Sequence, residues 1–269
     1  MEMTNTIQDV YNYLHSIAPF QYQESYDNAG LIVGDPNAEC TGVITCLDST
    51  EDIIDEAIAK GVNLVVAHHP IVFRGVKMFT GANYVEKAVI KAIKNDIAII
   101  AIHTNLDNVI VNGVNERIAH QIGLQNIKPL LVKSEIDQSE GAVGSGVIGE
   151  LKEEQDELSF LLGMKESMQV SVVKHTQLLG QKVRKIAVCG GVGGFLLRDA
   201  IKSGAQIFIT SDYKYHEFFD ANDQIVIADI GHYESEQFTI NLLQELISRK
   251  FTTFAAHCTK LNTNPVNYL

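Results

Sequence analysis

The 269 residues are 46% apolar and 20% charged, enough to bury a large core as one big domain or two modest lobes. A formal net charge of -12 argues against a protein that tracks nucleic-acid phosphates, because that work needs a clustered basic surface. No run of 18 apolar residues occurs, and Met1–Ile7 lacks a basic region followed by an apolar stretch, so the expectation is a cytoplasmic protein with no membrane span.

Cys40, Cys46, Cys189 and Cys258 show no CxxC spacing, and Cys46 and Cys189 sit in apolar strand-like runs. Buried thiols in a reducing compartment are therefore expected rather than disulfides.

Taken in chain order, VITCL (43–47) reads as a strand, residues 51–60 as a helix and LVVA (64–67) as a second strand, from β-branched runs and helical apolar spacing. AIIAI (98–102) is a third strand, followed by a helix near 113–122 and a glycine-rich stretch, GAVGSGVIGE, at 141–150. Further on, strands are predicted at IFIT (207–210) and IVIADI (225–230), with helical spacing in FLLRDAIKS (195–203) and ESEQFTINLLQELISRK (234–250).

The chain repeats itself. Residues 42–69 align without a gap on residues 185–212, placing Cys46 on Cys189 and Gly61 on Gly204, where glycine suits the left-handed end of a helix. A later correspondence sets AIIAIHTNLD (98–107) on residues 227–236, with His103 opposite His232 and Asp107 opposite Glu236. The first copy is longer, with the extra residues expected around Val76–Glu86. The fold class predicted is α/β: two duplicated lobes of parallel strand-helix-strand units related by a pseudo-twofold, with residues 1–125 and 181–269 as the lobes. Residues 126–180 are read as connecting structure packed on them.

Parallel sheets collect ligands beyond the carboxyl ends of their strands. Here those ends carry His68 and His69, His103 with Asp107, Asp212 with His216, and His232 with Glu236. Imidazole mixed with carboxylate suits zinc, manganese, iron or nickel rather than calcium or magnesium. On a helix, His232 and Glu236 share one face, whereas adjacent His68 and His69 splay toward different ions before Pro70 ends the strand. A lone strand-end histidine is more often a hydrogen-bonded structural residue; the convergence of five such donors favours metal. Asp48 suits either that site or a cap on the helix over 51–60. The loop GGVGG (190–194) suits either phosphate or a tight turn, and Arg74 and Lys77 could hold an anionic substrate or be ordinary surface charges.

The motifs YDNAGLIVG (26–34), AHHPIVFRGVK (67–77), HTNLDNVIVNGVNE (103–116), SDYKYHEFFDA (211–221) and GHYESEQF (231–238) together resemble the GTP cyclohydrolase I type 2 homologue family, the Nif-three-like dinuclear metal proteins. The resemblance covers nearly the whole chain. It implies a toroidal homohexamer and a two-metal site in the cleft between the lobes, with His68, His69, Asp107, His232 and Glu236 as ligands and His103 and His216 as nearby proton-handling groups. Two positions depart from the family pattern: Val147 where arginine is frequent, and Ser211 where glycine is usual. Longer relatives carry an inserted domain for which residues 108–184 are too few. The activity implied is metal-dependent hydrolysis of a small molecule, such as a purine nucleotide; the rival is a non-enzymatic metal-binding or scaffold protein.

Overall fold

The computed structural model describes residues 4–133 and 143–269. Gly141 and Ala142 of the glycine-rich stretch, and 134–142 of the expected connecting segment, lie outside the described residues.

In chain order the elements are α1 (Ile7–Ile17), β1 (Gly30–Val33), β2 (Gly42–Cys46), α2 (Glu51–Lys60), β3 (Leu64–Ala67), α3 (Tyr84–Lys94), β4 (Ala98–Ala101), α4 (Thr104–Asn108) and α5 (Val114–Gln121). There follow β5 (Gln125–Val132), β6 (Gly144–Asp156), α6 (Glu157–Ser167), β7 (Lys174–His175), β8 (Lys182–Val192), α7 (Leu197–Lys202) and β9 (Ile207–Ser211). β10 (Val226–Asp229), α8 (His232–Glu236), α9 (Thr239–Lys250) and β11 (Ala255–Cys258) complete the chain.

The chain divides into two compact units, one of residues 1–106 and 239–265, the other of 107–238 and 266–269. These boundaries differ from the expected 125/126 and 180/181. The reason is pairing: residues 126–180 supply β6, β7 and most of β5 to the second sheet, while α9 and β11 return to the first.

In the first unit the sheet order is β1-β4-β3-β2-β11. β11, β2, β3 and β4 run parallel, and β1 is antiparallel at the β4 edge. The three central strands are buried at every position, as parallel strands covered on both faces must be. Alternation assigns the faces: Ile44, Cys46, Val65, Ala67 and Ile99 pack with Ile53, Ile54 and Ala57 of α2 and Ala88, Val89 and Ala92 of α3. Thr45, pointing the other way, donates its hydroxyl to Ile240 O of α9 at 2.9 Å. Each fully buried leucine or isoleucine in such a layer contributes about 1.5–3 kcal/mol. Gly61 ends α2 at φ 66, as its place in the repeat predicts. The helix α1, which periodicity left unassigned, starts on a capping box in which Thr6 and Asp9 satisfy each other's backbone N–H.

In the second unit the order is β5-β6-β8-β9-β10-β7. β8, β9 and β10 are parallel, with β7 antiparallel at the β10 edge. Strand for strand, β2-β3-β4-β1 of the first unit recurs here as β8-β9-β10-β7, so the duplication is real in topology. Register refines it. Ala98 pairs with Leu64 and Val226 with Ile207, so the third strands superpose one residue out of step from the alignment that matches His103 to His232. The extra residue before the second histidine is accommodated at Gly231, φ 91. The added length of the first copy is taken by α3 as well as the loop before it; the second copy has only a 3-10 run, Tyr215–Ala221. The helical spacing over 234–250 resolves into α8 and α9, and that over 195–203 into a 3-10 turn and α7.

Among the described residues no helix is long and apolar enough to cross a membrane. All four cysteines are free thiols, three of them buried.

Candidate metal centre

In the first unit the β3 hydrogen-bonding ladder continues past its last strand residue. His68 N donates to Cys46 O at 3.1 Å and His69 N to Leu47 O at 2.9 Å; Pro70, with no N–H, stops it there. Both histidines are thereby pinned by their backbones. His68 is fully buried, and its Nδ1 donates to Ile102 O at 2.8 Å. A carbonyl only accepts, so this bond fixes the proton on Nδ1 and gives Nε2 the lone pair that a metal ligand needs. His69 Nδ1 lies 2.8 Å from Asp48 Oδ1, and Asp48 Oδ2 accepts from Thr263 Oγ1 at 2.8 Å. Asp48 therefore backs a histidine; the N-cap of α2 is Thr50.

The third imidazole is His103, whose Nδ1 meets Asp27 Oδ1 at 2.7 Å. Asp27 also accepts from the Thr104 backbone at 3.1 Å, from the Thr104 hydroxyl in a short bond, and from Asn28 N at 2.7 Å. Burial pushes the Asp27 carboxyl up, but His103, Thr104 and Asn28 together outweigh it and hold the group at about 2. The three rings form one cluster: centroids stand 5.0 Å apart for His68 and His69, 5.3 Å for His68 and His103, and 5.4 Å for His69 and His103. Asp27 lies inside the quoted YDNAGLIVG motif, yet no spacing rule connects it with a histidine 76 positions away.

In the second unit α8 places His232 and Glu236 one turn apart, with Nε2 to Oε2 at 3.2 Å. Asp212, just beyond β9, takes His232 Nδ1 at 2.6 Å. Burial lowers the imidazole's proton affinity, but Glu236 and Asp212 on its two nitrogens raise it to about 11. Asp107 and Glu236 share a neighbourhood: after burial, their charges are the main causes that push the Cys189 thiol far up.

The glycine loop after β8 serves this helix. Gly191 sits at φ 61, and a β-carbon there would stand 2.5 Å from Glu236 Oε1. Its N–H donates to Ser235 Oγ at 3.0 Å, and Gly190 N donates to Asn115 Oδ1 at 2.9 Å. These two amides are engaged by protein and not by phosphate, and the bend they make leaves room for a carboxylate. Ser211, at the departure from the family pattern, donates its hydroxyl to Gly191 O at 2.6 Å. Val147 is fully buried on β6, opposite Val188, an apolar position. His216 is exposed on the 3-10 run and packs its ring on Tyr215 at 5.1 Å; its strand-end companion Asp212 pairs with His232 instead. Arg74 and Lys77 are exposed.

Imidazoles with one nitrogen anchored, together with the buried carboxylate of Glu236, form a donor set that fits a borderline transition metal. His68, His69 and Glu236 are residues of this metal-holding kind. The fold and these donors define a two-unit α/β protein that duplicates a strand-helix-strand frame and lines its strand ends with metal-type ligands.

The profile of the Duf34/NIF3 (NGG1p interacting factor 3) family matches residues 5–265, and the chain belongs to that family. A Clostridium perfringens relative, named GTP cyclohydrolase 1 type 2 homolog, is 36% identical over 231 residues, 86% of each chain. A Staphylococcus epidermidis relative of the same name is 26% identical over 365 residues, covering 97% of this chain and 99% of its own; since this chain has 269 residues, that relative carries a stretch with no counterpart here. Among solved structures, a Bacillus cereus protein related to NIF3 superposes with a TM-score of 0.90 at 25% identity, covering 100% of both chains.

Proposed function

We propose that this protein is a metal-dependent hydrolase of a small molecule, with a purine nucleotide as the first substrate to test. Its ligands are His68, His69, Asp107, His232 and Glu236, and it holds two divalent ions of zinc, iron, manganese or nickel. The observation that carries the reading is the backing of the imidazoles: His68 by a carbonyl, and His69, His103 and His232 by Asp48, Asp27 and Asp212. Structural histidines are hydrogen-bonded too; what favours metal is that in four rings at strand ends the anchored nitrogen is Nδ1 each time, three of them on a carboxylate, the arrangement that orients a ligand ring toward a metal through Nε2. The names of the bacterial relatives support the substrate class.

Divalent transition metals, when bound, supply Lewis acidity and make water acidic enough to act as a nucleophile near neutral pH. The chain's own residues do the rest. Asp48, Asp212 and the Ile102 carbonyl orient the ligand rings, and Glu236 brings negative charge to a buried position. His103, its Nδ1 held by Asp27, presents Nε2 to take up and pass on a proton, and His216 on its exposed turn is a second proton carrier. Arg74 and Lys77 provide positive charge for an anionic substrate. Assembly as a toroidal homohexamer belongs to the same reading.

The test is elemental analysis of protein purified without added metal, followed by an assay of that protein over nucleotides with detection of released formate and phosphate. Two equivalents of transition metal and turnover are expected. Metal without turnover of any nucleotide would favour the scaffold reading, and absence of metal would overturn both.

A further inference from the structure

α8 carries two of the proposed ligands in five residues, too short a helix to hold its own shape by propensity. What holds it must come from outside. On one side Asp229, buried at the end of β10, accepts Gly231 N with Oδ1 at 3.1 Å. Its Oδ2 accepts Tyr213 N at 3.0 Å and the Lys174 ammonium at 2.6 Å. One carboxylate thus ties down both the turn into α8 and the turn that carries Asp212.

On the other side stands Tyr268. Gly231 has no side chain, and a β-carbon there would lie 2.2 Å from Glu234 Oε2 and 3.1 Å from the Tyr268 hydroxyl. Carboxylate and phenol therefore converge on one bare stretch of backbone. Burial first, and then the neighbouring Glu234 carboxylate, push the Tyr268 phenol up, and Glu234 is 8% exposed although it is ionisable. Residues 266–269 cluster with the second unit, whereas 239–265 before them belong to the first. Tyr268 also lies beyond residues 5–265 matched by the family profile.

We propose that Tyr268 is a positioning residue: it clamps α8 through Glu234, and so holds His232 and Glu236 in the orientation that receives a metal ion. The inference rests on the metal reading above for its consequence, though not for the clamp itself.

The experiment compares full-length wild type with Tyr268→Phe, which keeps the ring and loses only the hydroxyl, and with Tyr84→Phe, an exposed tyrosine on α3, as control. Hydrogen exchange of residues 231–238 in metal-stripped protein is measured first, then zinc affinity by competition with a chelator. Faster exchange confined to this segment and zinc binding weakened about 10-fold, the lower end for groups that orient ligands, are expected in Tyr268→Phe, with Tyr84→Phe unchanged. Glu234→Met, which keeps the length of the side chain and loses its acceptor oxygens, should reproduce the effect, and the double variant should add little, since both remove one contact. Exchange in Tyr268→Phe equal to wild type overturns the clamp. A wild type that binds no zinc overturns the metal reading instead, and the exchange result still decides the clamp.

Discussion

The two units use one frame for opposite chemistry. By the alignment of the repeat, His68 corresponds to Ser211, His69 to Asp212, Asp48 to Gly191 and His103 to His232. In the first unit three rings cluster, each Nδ1 anchored on a separate oxygen. In the second a single ring lies between two carboxylates. Where the first unit places a histidine of the proposed ligand set, the second places an aspartate that backs a ring; where the first has that backing aspartate, the second has a glycine that admits Glu236. Duplicated strands fix where side chains emerge, and exchanges at those positions decide whether a unit offers imidazole nitrogen or carboxylate charge.

The largest expected effect comes from removing that charge. Glu236→Gln keeps the shape of a nearly fully buried side chain but deletes a ligand, and should cost one metal equivalent outright in elemental analysis. Asp48→Asn leaves His69 in place and only loosens it, so a loss of about 10- to 100-fold in affinity is expected with both sites still fillable. Equal losses in the two variants would erase the distinction between the units.

Next in size is the glycine exchange. Gly191→Ala combines a φ of 61 with a β-carbon 2.5 Å from Glu236 Oε1, whereas Gly61→Ala in the first unit has φ 66 and open space. The strain alone costs about 1–2 kcal/mol in each, a fall of a few degrees in melting temperature. Only Gly191→Ala should also weaken metal binding, about tenfold. Calorimetric melting and zinc titration of both variants check this, and a zinc affinity lost equally in Gly61→Ala would show that strain rather than the Glu236 contact is responsible.

Much of this was legible in the sequence, because repeats and periodicity are properties of local composition. The strand-helix-strand copies, the helix over 51–60, Gly61 at its end and the helical spacing of His232 and Glu236 follow from runs of ten residues or fewer. What pairs across long separations was not legible. Asp27 reaches His103, and Thr263 reaches Asp48, through folding that no local pattern encodes. The expected linker at 126–180 failed to read as sheet because antiparallel β5 has no buried position and β6, buried over its glycine-rich first part, ends on the exposed polar run 152–156, so neither carries the continuous apolar signal of the parallel core.

Proton linkage separates the units again. His232 has a folded-state affinity raised from 6.5 to about 11, so its stabilisation of metal-free protein is fully present below pH 6.5 and is lost as pH rises toward 11. A metal ion must displace that proton, so zinc affinity should climb with pH across the same window and one proton should be released per His232 engaged. Isothermal titration in buffers of different ionisation heat measures the release. Asp212→Asn, which removes one of the two carboxylates, should narrow the pH dependence, and a pH-independent affinity in wild type would show that His232 stays outside the metal's reach.

The smallest effect lies at the acid end and belongs to the first unit. Asp27 is depressed from 3.8 to about 2; its contribution is present above pH 3.8 and is lost as pH falls through 2, the reverse of the His232 case. Asp27→Asn should cost about 1–2 kcal/mol at pH 7, the value of charged hydrogen bonds replaced by neutral ones. The difference from wild type should shrink as pH approaches 2, read as converging acid-unfolding curves. Since Asp27 holds His103 and no proposed ligand, metal content should stay at the wild-type level while any turnover loses its pH optimum. Loss of metal in this variant would place His103 among the ligands and make the first unit a three-nitrogen site.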